Sequence, residues 1–369
     1  MKEKRALVNE IFILRSAACL SILLLHVLDR VYLNNSETIN SFSLLITFGT
    51  PAFVFISEFI IAYSYRNRAI GSFWGNRIKY IFLPYVFFGV FYAAAKAFQE
   101  TGASAAFSEA FLTYTWRHIL LGDYHGYFIL IIFQFYALHL LFHNYLKKAS
   151  LKKVIAGSFL INAAYLSFFN FVPPMDIPFA NYIWTQYYWV PFPGWLFYFT
   201  IAFYSGYYYE AFQRLLVKYR HWTTVSVLLF GLLSISLYQL GVLPVVSSKR
   251  IDMVFFTVSM IFFLYSHAML LKRVPRFFTW VSKYSFGIYL FHPFFLAVAA
   301  SFSFLWEDIH PLVMVPALFF GCIALSAFMI FSFNKLPFGA YLVGKVGIGK
   351  TSKPKNSFKK IETPSVKVQ

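Results

Sequence analysis

Long apolar runs alternate along the chain with short polar stretches that carry Lys and Arg. A run of about 18 or more apolar residues predicts a membrane-spanning helix, because about 20 helical residues cross a hydrocarbon core of about 30 Å. Such spans are predicted at 11–33, 42–65, 80–98, 126–146, 154–171, 193–209, 222–241, 253–271, 284–304 and 311–333. The stretch 99–125 is less apolar and predicts an interfacial helix around Ala105–Tyr114. No internal repeat is visible, and no polar segment is large enough to fold as a soluble domain. The first run is expected to be a retained helix. It is long, carries Arg15 in its first turns and lacks a small-residue cleavage site. The expected fold is therefore an all-α polytopic membrane protein of about ten transmembrane helices. Residues 1–10 precede the helical domain at 11–333, and residues 334–369 form a basic tail expected to be disordered.

Composition agrees with this pattern. Hydrophobic residues make up 59% of the 369 positions, which excludes a disordered chain. Charged residues are 12%, about half the globular share of roughly 25%. That is too little to cover a soluble surface. The net charge is +18. A nucleic-acid binder would gather such charge on a solvated face; here no solvated face exists, so no nucleic-acid partner is expected and the lipid bilayer is. If residues 1–10 are cytoplasmic and the spans alternate, 26 of the 32 Lys and Arg fall on cytoplasmic pieces and 3 on outer loops. This is the positive-inside bias of a multi-pass protein with both ends in the cytoplasm, such as one in a bacterial plasma membrane. Cys19 and Cys322 both lie within apolar runs, so a disulfide framework is excluded.

Ionisable side chains at bilayer depth cost about 2.5–3.5 kcal/mol on insertion scales, so each is a candidate functional group. Arg15 and His26 lie in the first span, eleven positions apart. They share a helix face and are separated by about 16 Å of rise. Asp29 follows His26 on the same side. It is placed either to hold the imidazole tautomer or to pair with Arg30. Arg66, Arg68, Arg77 and Lys79 bracket a short loop and can serve as topology signals or as phosphate ligands. His125 lies beside Asp123 at the mouth of the fourth span. Ser285, Tyr289 and His292 precede Pro293, which is expected to kink its helix. Glu58 is a further intramembrane acid whose partner the sequence does not reveal. There is no HExxH or paired-Cys motif, so no metal site is expected.

Several of these residues fall within motifs. The Arg15-x10-His26 spacing and Phe48-Gly49-Thr50-Pro51 resemble the hallmarks of the membrane-bound acyltransferase 3 family. So do Arg77 with Pro84, His125-Gly126-Tyr127-Phe128, and Ser285-Phe-Gly-Ile-Tyr289-Leu-Phe-His292-Pro293. The matches run in order from residue 11 to about 333. The stretches around Phe48 and His125 look closest to the branch concerned with intercellular-adhesion polysaccharide, whose members are described as O-succinylating poly-N-acetylglucosamine or as exporting it. Three positions depart from the family pattern: Tyr80 where a second Arg is usual, Glu58 in place of Gly, and Tyr127 in place of Trp.

The resemblance implies transfer of an acyl group from cytosolic acyl-CoA to a hydroxyl of an extracytoplasmic glycan or lipid-linked sugar. In that reading His26 acts as general base or acyl carrier, with Arg15 and Asp29 in support. Arg77, Lys79, Arg66 and Arg68 bind the donor, and His125, Ser285, Tyr289, His292 and Glu58 are supporting polar groups. No cofactor is expected; acyl-CoA is the co-substrate. The rival reading is a transporter or flippase of a polysaccharide or its repeat unit. Against it, the second half of the chain carries no counterpart of the Arg-x10-His face.

Overall fold

The computed structural model describes residues 8–32, 36–66, 73–302, 304 and 308–346. All regular structure among them is helical. With no water in the hydrocarbon core, a helix satisfies its backbone groups internally. The helices are α1 (Asn9–Val31), α2 (Glu37–Ile46), α3 (Gly49–Tyr65), α4 (Phe73–Arg77), α5 (Leu83–Thr101), α6 (Phe107–Trp116), α7 (Phe128–Lys148) and α8 (Leu151–Phe171). They continue as α9 (Ala180–Thr185), α10 (Leu196–Tyr207), α11 (Tyr209–Lys218), α12 (Arg220–Gln239), α13 (Ile251–Ala268), α14 (Arg276–Ser301), α15 (Pro311–Phe333) and α16 (Gly339–Val343).

Among the described residues, nine helical stretches are long and apolar enough to cross a membrane. Nine of the ten expected runs fall on them. The tenth, expected at 193–209, is α10, which has only 12 residues. It nevertheless connects the two ends of the bundle. Gln134, near the start of α7, holds the Val190 carbonyl and the Phe192 amide just before α10. The Tyr204 hydroxyl, near the end of α10, donates to the Leu146 carbonyl at the end of α7. A hydropathy reading counts residues, and α10 is short because a 3-10 turn (Phe192–Trp195) precedes it and Tyr208 breaks the chain after it. The expected interfacial helix is α6.

The helices pack with their polarity inverted relative to a soluble protein. On α12 the buried residues are Thr223, Gly231 and Ser234, while Leu228, Leu229, Leu232 and Leu233 are exposed. Lipid solvates the leucines, so small and polar residues make the helix contacts. The centre of the bundle is α1, α3, α10 and α14. Gly49 sits where an added Cβ would lie 2.6 Å from the Ala18 carbonyl oxygen, so α3 starts hard against α1. The second span is broken at Thr47 and Phe48 to make that approach.

Two further breaks shape the interior. Before Pro84 the chain widens into a π-turn (Ile78–Phe82), which accommodates a residue with no amide hydrogen. In α14, Pro293 has no amide hydrogen to offer the Tyr289 carbonyl, and the Tyr92 hydroxyl inserts at the next rung. It donates to the Leu290 carbonyl at 2.8 Å and accepts from the Phe294 amide at 3.2 Å.

The basic tail departs from expectation at its start. Residues 334–346 fold back on the bundle. Asn334 donates to the Gly344 carbonyl and accepts from the Val346 amide, and Tyr341 stacks on Tyr80 at 5.7 Å. Gly339 permits the turn, since a Cβ there would collide with the Phe333 carbonyl. Residues 347–369 and 1–7 lie outside the described residues.

Candidate active site

The motif residues converge on two cavities that share one wall. The first, of about 300 Å³, is cationic: Arg15, Arg77, Lys283 and Lys345 line it together with Ser57 and Ser285. Helix α1 supplies Arg15, the end of α4 supplies Arg77, and α14 supplies Lys283 and Ser285. The folded start of the tail brings Lys345. Aromatic rings hold Arg77 in place. Its guanidinium lies 3.7 Å from the Phe73 ring centroid and 5.0 Å from that of Tyr136, a stabilising cation–π arrangement. Its Nε is buried without a partner among the described residues. The Ser57 hydroxyl donates to that of Tyr136 at 3.3 Å.

The second cavity, of about 530 Å³, contains His26 and His125. Its far side is aromatic, with Trp184, Tyr188 and Trp189, and Tyr127 stacks on Trp189 at 5.7 Å. Lys249 lies over both rings of that pair, 4.2 Å from the Trp189 centroid and 4.9 Å from that of Tyr127. The Asn170 side chain fixes the backbone around Lys249 by bonding the Lys249 carbonyl and the Ile251 amide. Arg250, next in sequence, is buried and neutralised by a bidentate pair with Asp252.

Tyr289 lines both cavities. Its hydroxyl donates to the His125 carbonyl, which ties α14 to the turn His125–Tyr127. Around it three histidines gather from distant parts of the chain. His26 stacks on His292 at 5.3 Å, and His125 meets His292 at 6.0 Å edge-on. One turn back along α14 the Ile288 carbonyl accepts from His292 Nδ1 at 3.1 Å. A neutral imidazole bonded in this way presents its other nitrogen as an acceptor. That atom, Nε2, is buried with no partner among the described residues, as is Nε2 of His125. His26 is the member open to space, with 41% of its side chain exposed. It also borders a third opening with Asp29, Arg30 and Pro293. The cluster thus offers an accessible His26 imidazole backed by the buried His292, with the half-buried His125 beside it. Among the described residues no group of three or more His, Cys, Asp or Glu is arranged to hold a metal ion.

The other predicted residues are placed as follows. Asp29 lies 3.9 Å from His26 Nδ1, near but beyond hydrogen-bond reach. Asp123 turns to Arg117 at 2.8 Å, away from His125. Arg66 is not in the cationic cavity. It makes a bidentate pair with Glu210 and holds that carboxyl down to about 2. Lys79 is exposed on the π-turn and lines neither cavity; Arg68 lies outside the described residues. Glu58 finds its partner in His139, at 2.6 Å and wholly buried. That pair spans 81 positions, so no spacing rule points to it. Lys283, Lys345 and Lys249 are the cavity cations the sequence reading did not single out. Lys283 alone had a signal, lying two residues before Ser285.

The comparisons with known proteins bear on the family of the chain. A family model described as an acyltransferase domain (Acyl_transf_3) matches residues 8–331. The chain is 37% identical to the Bacillus subtilis protein named "Putative membrane-bound acyltransferase YfiQ", over 92% of this chain and 95% of that one. It is 26% identical to a Staphylococcus aureus protein named "Probable poly-beta-1,6-N-acetyl-D-glucosamine export protein", over 81% of this chain and 85% of that one. A Staphylococcus epidermidis protein of the same name is 27% identical, over 81% and 84%. No solved structure matches the chain.

Proposed function

The chain belongs to the acyltransferase 3 family, and from that premise we propose that it transfers an acyl group from acyl-CoA on the cytoplasmic side to a hydroxyl of a glycan on the other side. The observation that carries the reading is the pair of cavities walled by Tyr289, one cationic and one holding the histidines. The cationic cavity suits a phosphate-bearing donor. Arg15 and Arg77 hold its phosphate or amide groups, with Lys283 and Lys345 in place of the Arg66 and Lys79 expected from sequence. The rise of about 16 Å from Arg15 to His26 is comparable to an extended pantetheine arm. The thioester therefore reaches the Tyr289 wall while the nucleotide end stays among the cations.

The acceptor enters the aromatic cavity, where Trp184, Tyr188 and Trp189 suit the apolar faces of a sugar. His26 removes the hydroxyl proton as the oxygen attacks the thioester carbonyl. The carbon–sulfur bond then breaks, and the thiolate of CoA takes the proton from His26. The stacked His292 and the backbone-held His125 position the His26 ring. The names of the staphylococcal relatives suggest poly-N-acetylglucosamine as the acceptor class. They also favour a second reading, in which the chain moves that polymer across the membrane.

One experiment separates the two. Purified protein in lipid nanodiscs is given short-chain acyl-CoAs and β-1,6-linked N-acetylglucosamine oligosaccharides, and free thiol and sugar mass are followed. Acceptor-dependent thiol release with matching sugar acylation is expected. His26→Ala should lower it by about 10²–10⁴-fold, the usual contribution of a general base, at unchanged membrane level. Full transfer by that variant removes His26 from the mechanism. An inactive wild type that carries oligosaccharide into vesicles supports export instead.

A further inference from the structure

The largest cavity described here lies away from this site, a lateral hollow of about 730 Å³ between α8, α10, α11 and α12. Its walls are almost wholly apolar; Leu151, Ile155, Ile201, Leu215 and Trp222 are typical. The hollow opens beside the last turns of α10, where the chain turns into α11. Twelve helical residues supply about 18 Å of rise, against the about 30 Å that a bilayer core requires. Its neighbours α8 and α12 have 21 and 20 residues and run the full depth. At Tyr208 the chain leaves α10 and enters α11. That helix buries Phe212 and Leu216 and exposes Arg214 and Lys218, the pattern of a helix lying in the membrane interface. Above α11 and beside α10, hydrocarbon-lined space is left open to the side.

No cation lines the hollow itself, but several stand next in sequence to residues that do. Lys152 and Lys153 follow Leu151 on the first turn of α8, both exposed, and Lys147 and Lys148 end α7. Lys218 and Arg220 flank Tyr219, itself a wall residue, with the Lys218 ammonium 5.1 Å from the Tyr219 ring centroid. The nearest acid in sequence, Glu210, is already taken by Arg66. Among the described residues Lys152, Lys153 and Lys218 make no ion pair. An apolar trough with unpaired cations next to its wall residues matches one kind of molecule, in which a hydrocarbon tail hangs from an anionic headgroup.

We propose that this hollow is a binding site for one anionic phospholipid of the adjacent leaflet. Its acyl chain fills the hollow against α10, and its phosphate sits beside Lys152, Lys153 and Lys218. The lipid braces α10 from the outside. On its inner side α10 meets α3 through Gly206, where an added Cβ would lie 2.5 Å from the Phe59 carbonyl oxygen. Helix α3 in turn provides Ser57 to the cationic cavity.

The test is lipid retention, which does not depend on any acyl transfer. Full-length protein is purified in detergent, exposed to mixed micelles of phosphatidylglycerol and phosphatidylcholine in equal amounts, washed and examined by native mass spectrometry. About one retained phosphatidylglycerol per chain is expected, preferred over phosphatidylcholine by about tenfold or more, since nearby Lys side chains attract an anionic headgroup. Ala211→Trp, which fills the hollow from α11, should release the lipid. Lys152→Glu with Lys153→Glu changes only exposed side chains and should abolish the headgroup preference while leaving a lipid bound. Equal retention of both lipids by the wild type overturns the proposal. So does undiminished retention in Ala211→Trp, or an unchanged preference in the double charge reversal.

Discussion

Beside Pro293 the Tyr92 hydroxyl bridges a rung of the α14 ladder, donating to the Leu290 carbonyl and accepting from the Phe294 amide. This bridge lies next to His292, whose ring stacks on His26. Tyr92→Phe leaves a carbonyl and an amide unsatisfied in a dry interior, which costs about 1–3 kcal/mol for such a group. Thermal unfolding in detergent should show that loss, and acyl transfer should fall as the His26–His292 stack loosens. The cavity cations act differently. Arg77 touches the donor side only, so Arg77→Gln should raise KM for acyl-CoA and leave kcat largely intact, whereas His26→Ala lowers kcat. That split is how ground-state binding is told from transition-state stabilisation. The histidine cluster was legible in the sequence because each ring lies in its own local motif, although no spacing says that 26, 125 and 292 meet. Glu58 and His139 were illegible as a pair for a related reason. A lone acid and a lone histidine in separate helices carry no local sign of each other. Arg66 and Lys79 drew attention as cations near a motif, but Glu210 captures one and the π-turn exposes the other.

Between elements, close approach is set by a few glycines, and their neighbours decide how costly a side chain would be. At Gly49 an added Cβ meets the Ala18 carbonyl oxygen at 2.6 Å, and at Gly206 it meets the Phe59 carbonyl oxygen at 2.5 Å. Backbone cannot swing aside, so α3 would have to move off α1 or α10. At Gly287 the nearest atom is the tip of the Ile330 side chain, at 2.4 Å, which can change rotamer. Gly49→Ala should therefore destabilise by about 1–3 kcal/mol, the usual range for overpacking, and Gly287→Ala by clearly less. Paired thermal-unfolding curves read the difference, and equal losses would mean that α14 and α15 are as rigid as the α1–α3 contact. Helix positions were readable from hydropathy because lipid imposes a length on each span. The short α10 was read too long for the same reason. Its run of apolar residues continues through a 3-10 turn and past Tyr208, where hydropathy does not change but backbone geometry does. The start of the tail was read as disordered from its polar composition, yet a single asparagine, Asn334, anchors it to the bundle.

For the whole molecule, the +18 charge has a direction. The cationic cavity, the lateral hollow and the Arg66–Glu210 pair belong to the loops that hold most of the Lys and Arg, while the aromatic cavity lies with the loop carrying Lys249. On the proposed reading the cationic cavity faces the cytoplasm, the sense that the positive-inside rule favours, and the histidines face the other side. The proposed reaction depends on that sense, because a reversed molecule would present its cations to a compartment without the donor. Cysteine labelling reads it directly. Cys19 and Cys322 are both buried, so the native chain gives a low background with a membrane-impermeant maleimide. Ile177→Cys lies in the exposed segment after α8, and Leu271→Cys lies in the exposed segment after α13. These two segments are on opposite faces, because the chain crosses through α10, α12 and α13 between them. In intact cells Ile177→Cys should label and Leu271→Cys should not. Permeabilised cells should label at both. The opposite pattern would put Arg15 and Arg77 outside, and the acyl-CoA reading would fall with the orientation while the helical fold stood.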